Sequence, residues 1–133
     1  MTNRKKIQVG ILGATGSVGQ KFIELLTNHP WFEIAEVAAS EKSAGKKYKE
    51  AVNWFLSSSI PGSVADLAVK KCEPTLNSKL VFSGLDSSIA GEVETAFAKA
   101  GYVVVSNSKN HRMDNDVPLL VPEVNGNHLE LIH

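Results

Sequence analysis

The sequence is poor in the features that mark secreted, membrane or nucleic-acid-binding proteins. It contains one cysteine, Cys72, which excludes an internal disulfide and favours a reducing compartment. Its 14 basic residues balance 14 acidic ones, which argues against a nucleic-acid surface or a polybasic membrane anchor. No apolar run approaches the length of a membrane span, and the N-terminus lacks the apolar core of a secretory signal. We therefore expect a cytoplasmic protein with neither nucleic-acid nor membrane partners.

Metal ligands and reactive side chains are also scarce. No group of His, Cys, Asp and Glu residues has metal-ligand spacing, and we predict no metal site. Cys72 follows a predicted edge strand, far in strand order from the glycine-rich segment described below. A reactive thiol needs a lowered pKa and a pocket. Because the sequence indicates no pocket at Cys72, we predict that this residue has no functional role.

Apolar runs and helical periodicity alternate along the 133 residues, the length of a single domain. Strands are predicted at 7–12, 33–39, 67–71, 79–83 and 102–106, helices at 17–28 and 88–100, and a short helical or irregular segment at 48–56. The expected inward faces are Val18, Phe22, Leu25, Leu26 and His29 in the first helix, and Ile89, Val93, Ala96, Phe97 and Ala100 in the second. Strands joined by helical crossovers predict an α/β fold: a Rossmann-like, doubly wound, mostly parallel sheet with helices on both faces.

The segment Gly13-Ala-Thr-Gly-Ser-Val-Gly19 links the first strand to the first helix. A strand that turns into a helix offers backbone N–H groups and the positive end of the helix dipole to a phosphate or diphosphate. In this interpretation Gly13 permits the tight turn, Gly16 lets a ligand approach the backbone, and Gly19 lets the helix pack closely on the sheet. The spacing alone is not specific, and a glycine-rich turn that binds nothing is the alternative.

The end of the second strand indicates which dinucleotide would bind. An NAD site usually places Asp or Glu there, about 20 residues past the glycines, to bind the ribose hydroxyls. This sequence instead has Ser40 and Ser43, with Lys42, Lys46 and Lys47. Hydroxyl and ammonium groups suit a 2′-phosphate, so we predict NADP, with Glu41 facing solvent. The alternative is a solvated loop whose lysines matter only for solubility.

A polar segment after the last predicted strand contains His111 and Arg112. A guanidinium at the carboxyl end of a strand can bind a phosphate through two hydrogen bonds. Alternatively, Arg112 simply pairs with carboxylates farther along the chain, at Asp114, Asp116 or Glu123.

Five blocks of sequence stand in order along the chain. The blocks are Gly13-Ala-Thr-Gly-Ser-Val-Gly19, Ser40-Glu-Lys-Ser-Ala-Gly-Lys-Lys-Tyr48, Val81-Phe-Ser-Gly-Leu-Asp86, Val105-Ser-Asn-Ser-Lys-Asn-His-Arg112 and Asp116-Val-Pro-Leu-Leu-Val-Pro-Glu-Val-Asn125. Together they resemble the N-terminal domain of the aspartate-β-semialdehyde dehydrogenases over about residues 7–132. The second block resembles the archaeal and fungal branch, and the third is most similar to the fungal sequences.

This resemblance implies an NADP-dependent oxidoreductase that reduces L-aspartyl-4-phosphate to aspartate semialdehyde with release of phosphate, in lysine, methionine and threonine biosynthesis. In this family a cysteine thiolate attacks the acyl carbon, hydride reduces the thioester, and a histidine handles the proton. The resemblance implies that the diphosphate is bound by the residues after Gly13, which are Thr15, Gly16, Ser17 and Val18, and that the 2′-phosphate is bound by Ser40 and Ser43. Ser83 and Leu85 would line the cofactor cleft, and Asn107 would lie near the nicotinamide. Arg112 would bind the substrate phosphate.

The sequence departs from the family pattern in one respect. The family's nucleophile lies in an Asn-Cys-Ser/Thr motif some tens of residues beyond the Pro-Glu-Val-Asn block, and residues 1–133 do not contain that motif. We therefore expect residues 1–133 to form an NADP-binding domain without catalytic residues, separate from a catalytic and dimerisation domain, and unable to turn over substrate alone. The full-length enzyme is expected to be a homodimer or homotetramer.

Two other functions remain open at this point. One is a related acyl reductase, acting on malonyl-CoA or N-acetylglutamyl phosphate, since the nucleotide half distinguishes these enzymes poorly. The other is a non-catalytic NADP-sensing module, because the Gly-Ala-Thr-Gly segment also occurs in such proteins. We further expect the apolar surfaces around 119–121 and 129–132 to be exposed or to self-associate.

Overall fold

A computed structural model describes residues 5–107 of the chain. Helices separate most of the strands, two of them very short between the second and third strands, and the third strand is followed directly by the fourth. The elements are β1 (Ile7–Leu12), α1 (Ser17–Leu26), β2 (Phe32–Ala39), α2 (Tyr48–Ala51), α3 (Gly62–Ala65), β3 (Val69–Lys71), β4 (Leu80–Ser83), α4 (Ser87–Lys99) and β5 (Val103–Ser106).

The five strands form one sheet in the order β3-β2-β1-β4-β5, and all four pairings are parallel. The chain runs outward from β1 to β3 and then returns to place β4 on the other side of β1. The strand order therefore reverses between β1 and β4, which is where open α/β sheets bind ligands, at the carboxyl ends of the strands. This topology confirms the predicted Rossmann-like fold.

Hydrophobic residues pack on both faces of the sheet. Val9 and Ile11 of β1 belong to one cluster with Ile23 of α1, whereas Leu12 belongs to a second cluster with Phe97 of α4. Because successive side chains of a strand point to opposite faces, α1 and α4 cover opposite sides of the sheet. A parallel strand buried on both faces needs apolar residues at successive positions, which explains the run at the end of β1.

The predicted strands at 7–12, 33–39, 79–83 and 102–106 lie within one residue of the observed bounds. The edge strand is shorter than predicted, starting at Val69, and only Tyr48–Ala51 of segment 48–56 is helical. Helix α1 ends at Leu26 rather than at residue 28, since Asn28 adopts a φ of 60°, which is incompatible with a right-handed helix.

The inward faces of the two long helices agree with the prediction in part, since Leu26 and Phe97 are buried and Phe22 and Val93 pack against the hydrophobic clusters. Other predicted positions differ. Leu25 of α1 is 63% exposed and Ile89 of α4 is 49% exposed, and Ala96 and Ala100 are exposed as well. The buried residues are Gly19, Gln20, Ile23 and Leu26 in α1, and Ala90, Glu94 and Phe97 in α4. Each helix therefore turns one polar side chain inward, which hydrophobic periodicity assigns to solvent.

Some sequence predictions concern residues outside 5–107. The residues outside the described range include His111 and Arg112 of the polar segment and the apolar surfaces predicted around 119–121 and 129–132. Among the helices that the structure does describe, none combines the length and apolar character needed to cross a bilayer.

Candidate nucleotide-binding site

The glycine segment forms a tight turn directly after β1. Gly13 has a φ of +72°, and a Cβ there would lie 2.9 Å from the carbonyl oxygen of Gly84. The turn is closed by the Gly16 amide, which donates to the Gly13 carbonyl at 3.1 Å. It is anchored to β2 by the Ala14 amide, which donates to the Ala38 carbonyl at 3.0 Å. These contacts fix the turn between the carboxyl ends of β2 and β4.

Helix α1 begins in close contact with this turn. A Cβ at Gly19 would lie 2.1 Å from the Gly13 carbonyl oxygen, so only glycine allows this approach. Gly16 differs, since a Cβ there would meet only the Gly13 oxygen, at an ordinary 3.6 Å. Protein packing thus accounts for Gly19 but not for Gly16, and it leaves open space beside Gly16 for a ligand.

The amino end of α1 is suited to an anion. Gly16 is the N-cap residue, and no side chain within residues 5–107 forms a capping hydrogen bond there. The first turn of α1 also contains no acidic residue. Amides of a helix's first turn have no acceptor inside the helix and lie at the positive end of its dipole. The backbone N–H groups at the start of α1 are therefore available to a phosphate.

A cleft of about 220 Å³ lies beside the turn. It is lined by five of the residues assigned to the cofactor, together with neighbours from the ends of β2, β3 and β4. The lining residues are Gly13, Thr15, Gly16, Ser40 and Leu85, with Ala39, Cys72, Gly84, Asp86 and Ile89.

A second cleft of about 400 Å³ lies beside the first turns of α1. Its lining comprises three assigned residues, Ser17, Val18 and Asn107, and three further residues of α1, Lys21, Phe22 and Leu25. Thr15 and Gly16 thus line the first cleft, and the next two residues, Ser17 and Val18, line the second. Eight of the ten residues predicted to bind the cofactor therefore line one of these two clefts, and Ser43 and Ser83 line neither.

Ser40 and Ser43 lie in one turn after β2. The Ser40 carbonyl accepts hydrogen bonds from the amides of Ser43 at 3.0 Å and Ala44 at 3.2 Å, which folds Ser43 back towards Ser40. Ser40 is exposed at the first cleft, and Ser43 is half-buried. The exposed side chain of Glu41 fits the expectation that it faces solvent.

The lysines after Ser40 differ in their partners. Lys49 forms an ion pair with Asp66 at 3.0 Å, and this hydrogen bond lowers the pKa of Asp66, with a further contribution from the charge of Lys47. The ion pairs within residues 5–107 include neither Lys42 nor Lys46, and both residues are exposed. Among the described residues neither ammonium group is paired with a carboxylate, which suits the binding of an anion after β2.

Ser83, which the resemblance assigns to the cofactor cleft, is not among the residues that line either cleft. The residue is fully buried, and its hydroxyl donates to Glu94 Oε2 at 2.6 Å. The Ser106 hydroxyl donates to the same oxygen at 2.6 Å. The Glu94 carboxylate therefore links the carboxyl ends of β4 and β5, and the backbone of the adjacent Gly84 lines the cleft in place of Ser83.

Cys72 lines the first cleft, so the expectation that no pocket lies at this residue is wrong. Because β3 runs parallel to β2, its carboxyl end reaches the same edge of the sheet. The Cys72 Sγ lies 3.7 Å from the Ala39 carbonyl oxygen. Burial raises the pKa of this thiol, and a hydrogen bond from the Gly13 backbone offsets only part of the rise. The thiol is thus held protonated, which does not favour a nucleophile.

Gly84 and Asp86 are site residues that the sequence reasoning missed. Asp86 caps α4, since its carboxylate accepts from the Ser88 amide at 3.1 Å. The sequence signal was an Asp directly before a helical pattern, which is typical of an N-cap. No group of three or more His, Cys, Asp and Glu residues in the described range could hold a metal ion.

Comparison with known proteins identifies the family. Residues 8–132 match the family described as "Semialdehyde dehydrogenase, NAD binding domain". The chain is 52% identical over 130 residues to aspartate-semialdehyde dehydrogenase of Saccharomyces cerevisiae, covering 96% of this chain and 35% of that protein. The Archaeoglobus fulgidus enzyme is 51% identical over 128 residues, with 96% and 37% covered.

A solved structure gives the same result. The crystal structure of aspartate semialdehyde dehydrogenase with NADP from Candida albicans superposes with a TM-score of 0.91 at 50% identity, covering 95% of this chain and 36% of that one. This chain spans just over a third of the length of the curated relatives it matches. The chain therefore belongs to the semialdehyde dehydrogenase family and corresponds to the NAD-binding domain of its enzymes.

Proposed function

We propose that this chain binds NADP(H) and forms the nucleotide-binding part of an aspartate-semialdehyde dehydrogenase. The observation that carries the proposal is the uncapped amino end of α1, which opens between two clefts at the point where the strand order reverses. The Candida albicans relative, at 50% identity, was solved with NADP. The open space beside Gly16 fits a diphosphate that approaches the backbone.

The two clefts suit the two halves of a dinucleotide. In the proposed arrangement the diphosphate lies beside Gly16 and contacts the amides of Thr15, Ser17 and Val18, because the Gly16 amide already donates to the Gly13 carbonyl. The adenosine half lies in the first cleft. The hydroxyl of Ser40, which lines that cleft, binds the 2′-phosphate together with the hydroxyl of Ser43 from the same turn. The nicotinamide half lies in the second cleft, beside Asn107. Lys42 and Lys46 add positive charge near the 2′-phosphate, which favours NADP over NAD.

The proposed reaction is the reduction of L-aspartyl-4-phosphate to aspartate semialdehyde. NADPH supplies the hydride when it is bound, and the residues of this chain hold and orient it, while Arg112 binds the substrate phosphate. Cys72 is an unsuitable nucleophile, because its thiol is partly buried and its pKa is raised. We infer that another part of the enzyme supplies the thiolate and that the whole enzyme is a cytoplasmic homo-oligomer.

Calorimetric titration with NADPH and NADH tests the cofactor assignment. The variant Ser40→Ala removes one proposed 2′-phosphate ligand, and Ser63→Ala, an exposed serine of α3, is the matched control. Because a hydrogen bond to a charged group contributes about 1.5–3 kcal/mol, S40A is expected to weaken NADPH binding about tenfold or more while leaving NADH binding unchanged. Equal affinity of the unmodified chain for both dinucleotides would contradict the assignment.

A further inference from the structure

We propose that Tyr48 and Gln20 are positioning residues that hold the backbone of the glycine turn in its anion-binding conformation. Both side chains donate hydrogen bonds to carbonyl oxygens of the turn from inside the protein. The inference rests on the proposed cofactor site, and it assigns the conformation of that site to two residues that lie behind it.

Tyr48 holds the first of these carbonyls. Its side chain is fully buried, and its hydroxyl donates to the Ala14 carbonyl oxygen at 2.6 Å. The ring packs edge-on against Trp54, with centroids 6.4 Å apart, and the Tyr48 amide donates to the Leu67 carbonyl at 2.8 Å. Ring and backbone are thus both fixed, so the hydroxyl cannot easily follow the Ala14 carbonyl if that peptide rotates.

Gln20 holds the next carbonyl. Its side chain is 1% exposed, and its Nε2 donates to the carbonyl oxygens of Thr15 at 3.0 Å and Asn53 at 3.1 Å. Its Oε1 accepts from the Phe55 amide at 3.2 Å. Backbone partners of known polarity on both sides of the side-chain amide fix its orientation. Gln20 therefore ties the glycine turn to the segment 53–55.

Peptide geometry converts these bonds into an orientation of the N–H groups. In a trans peptide the C=O and the following N–H lie in one plane and point in opposite directions. Holding the Ala14 carbonyl inside the protein therefore turns the Thr15 N–H outward, at the first cleft. Holding the Thr15 carbonyl likewise directs the Gly16 N–H away from Gln20, where it donates to the Gly13 carbonyl and closes the turn.

Loss of either bond would free a peptide that now has one orientation. Rotation of the Ala14–Thr15 peptide would turn the Ala14 carbonyl oxygen towards the cleft in place of the Thr15 N–H, and this oxygen would repel a phosphate. Rotation of the Thr15–Gly16 peptide would break the hydrogen bond from the Gly16 amide to the Gly13 carbonyl, which closes the turn. Tyr48 and Gln20 contribute nothing to the surface of either cleft, so they act on a bound diphosphate only through the backbone of the turn.

The variant Tyr48→Phe removes only the hydroxyl, and Tyr102→Phe is a matched control. Tyr102 is also buried, and its hydroxyl also donates to a backbone carbonyl, that of Leu76, in the hydrophobic cluster on the opposite face of the sheet. Each substitution therefore removes the same type of buried hydrogen bond. Affinities are measured by titration with NADPH and with 2′-AMP, which carries the 2′-phosphate but no diphosphate.

We expect Y48F to bind NADPH about tenfold more weakly than the unmodified chain, a change equivalent to ~1.4 kcal/mol. Its affinity for 2′-AMP should be unchanged, and Y102F should bind both ligands normally. Should Y48F fail to fold, Gln20→Met, which removes the bond to Thr15, is tested for the same selective loss.

Three results would overturn the inference. The first is a variant that folds and binds NADPH as tightly as the unmodified chain. The second is an equal loss of NADPH and 2′-AMP affinity, and the third is an equal loss in Y102F, because either would indicate general destabilisation. A different result, failure of the unmodified chain to bind NADPH, would overturn the proposed function itself.

Discussion

The backbones of Gly19 and Gly84 are in direct contact, and a Cβ at residue 84 would lie 2.8 Å from the Gly19 amide nitrogen. One residue belongs to the first turn of α1 and the other follows β4. Their contact brings the amino end of the helix against the carboxyl end of the sheet. No side chain larger than hydrogen at residue 84 is compatible with this spacing, and the position of the anion-binding amides depends on it.

The substitution Gly84→Ala should therefore displace α1 from the end of β4. The added methyl meets backbone atoms that cannot move independently, and overpacking of this kind costs about 1–3 kcal/mol. The control is Gly62→Ala, where an added Cβ would meet no atom within 4 Å. Thermal unfolding of the two variants should show a clear loss of stability for G84A only, and equal melting temperatures would contradict the structural account of this contact.

The substitution Gly16→Ala should separate binding from folding. An added Cβ at residue 16 makes only an ordinary contact, and the extended φ and ψ of Gly16 suit alanine. We expect stability to fall by less than about 1 kcal/mol, the cost of alanine at an N-cap. NADPH affinity should fall at least tenfold in a titration, because the methyl group occupies the space of the diphosphate. Unchanged affinity in G16A would mean that no ligand approaches the backbone there.

Cys72 provides a chemical probe of the first cleft. Alkylation by a thiol reagent should be slow at neutral pH and should accelerate as pH rises, because burial raises the pKa of the thiol and the thiolate is the reactive form. Bound NADPH should slow it further, since Cys72 lines the cleft assigned to the adenosine half. Mass spectrometry gives an unambiguous measurement, because the sequence contains one cysteine. Identical rates with and without saturating NADPH would contradict the placement of the cofactor.

The fold could be predicted from the sequence because its signals are local. Apolar runs bounded by glycine and polar residues define β1 and β4, and the turn at Gly13 requires the positive φ that glycine favours. The inward faces of α1 and α4 could not be predicted in the same way. Gln20 and Glu94 are buried because each has hydrogen-bond partners that are distant in sequence or belong to another element. The helical periodicity of a sequence depends only on hydrophobicity, so it cannot predict a buried polar residue of this kind.

The candidate site was predictable to a similar degree. Thr15, Gly16 and Ser40 follow strands, and the rule that ligands bind at carboxyl ends was enough to place them together. Cys72 obeys the same rule, but the strand that precedes it has only three residues and lies at the sheet edge. Its nearness to Gly13 could be established only from the register between β2 and β3. The exclusion of the Ser83 side chain depends on its partner Glu94, which a sequence does not show.

Glu36 is the carboxylate whose titration should affect stability at low pH. Burial is the largest single influence on its pKa and raises it, but hydrogen bonds from Lys70 Nζ and from the amides of Ser78 and Asn77 together outweigh burial and lower the pKa. Because the folded-state pKa lies below the ordinary value of 4.5, the stabilisation is complete above that pH. It should be lost as pH falls through 4.5 towards the folded-state pKa.

Denaturant unfolding between neutral and acidic pH, compared with the variant Glu36→Gln, checks this expectation. E36Q should be less stable at pH 7, since an amide cannot accept all three hydrogen bonds, and its stability should fall less steeply in acid. Glu33→Gln, an exposed position on the same strand, is the control and should behave as the unmodified chain does. If the stability of E36Q fell as steeply with falling pH as that of E33Q, carboxylates other than Glu36 would be responsible for the loss.

Titration of the ¹⁵N-labelled chain with NADPH, followed through its amide resonances, is the decisive test of a dinucleotide site at the start of α1. We expect the resonances of Thr15 to Val18 and of Ser40 to Ser43 to shift together on binding. NADH should shift the first group and have little effect on the second, because it lacks the 2′-phosphate. If both groups remained unmoved at millimolar NADPH, the chain would have no dinucleotide site at the start of α1 and the account would be wrong.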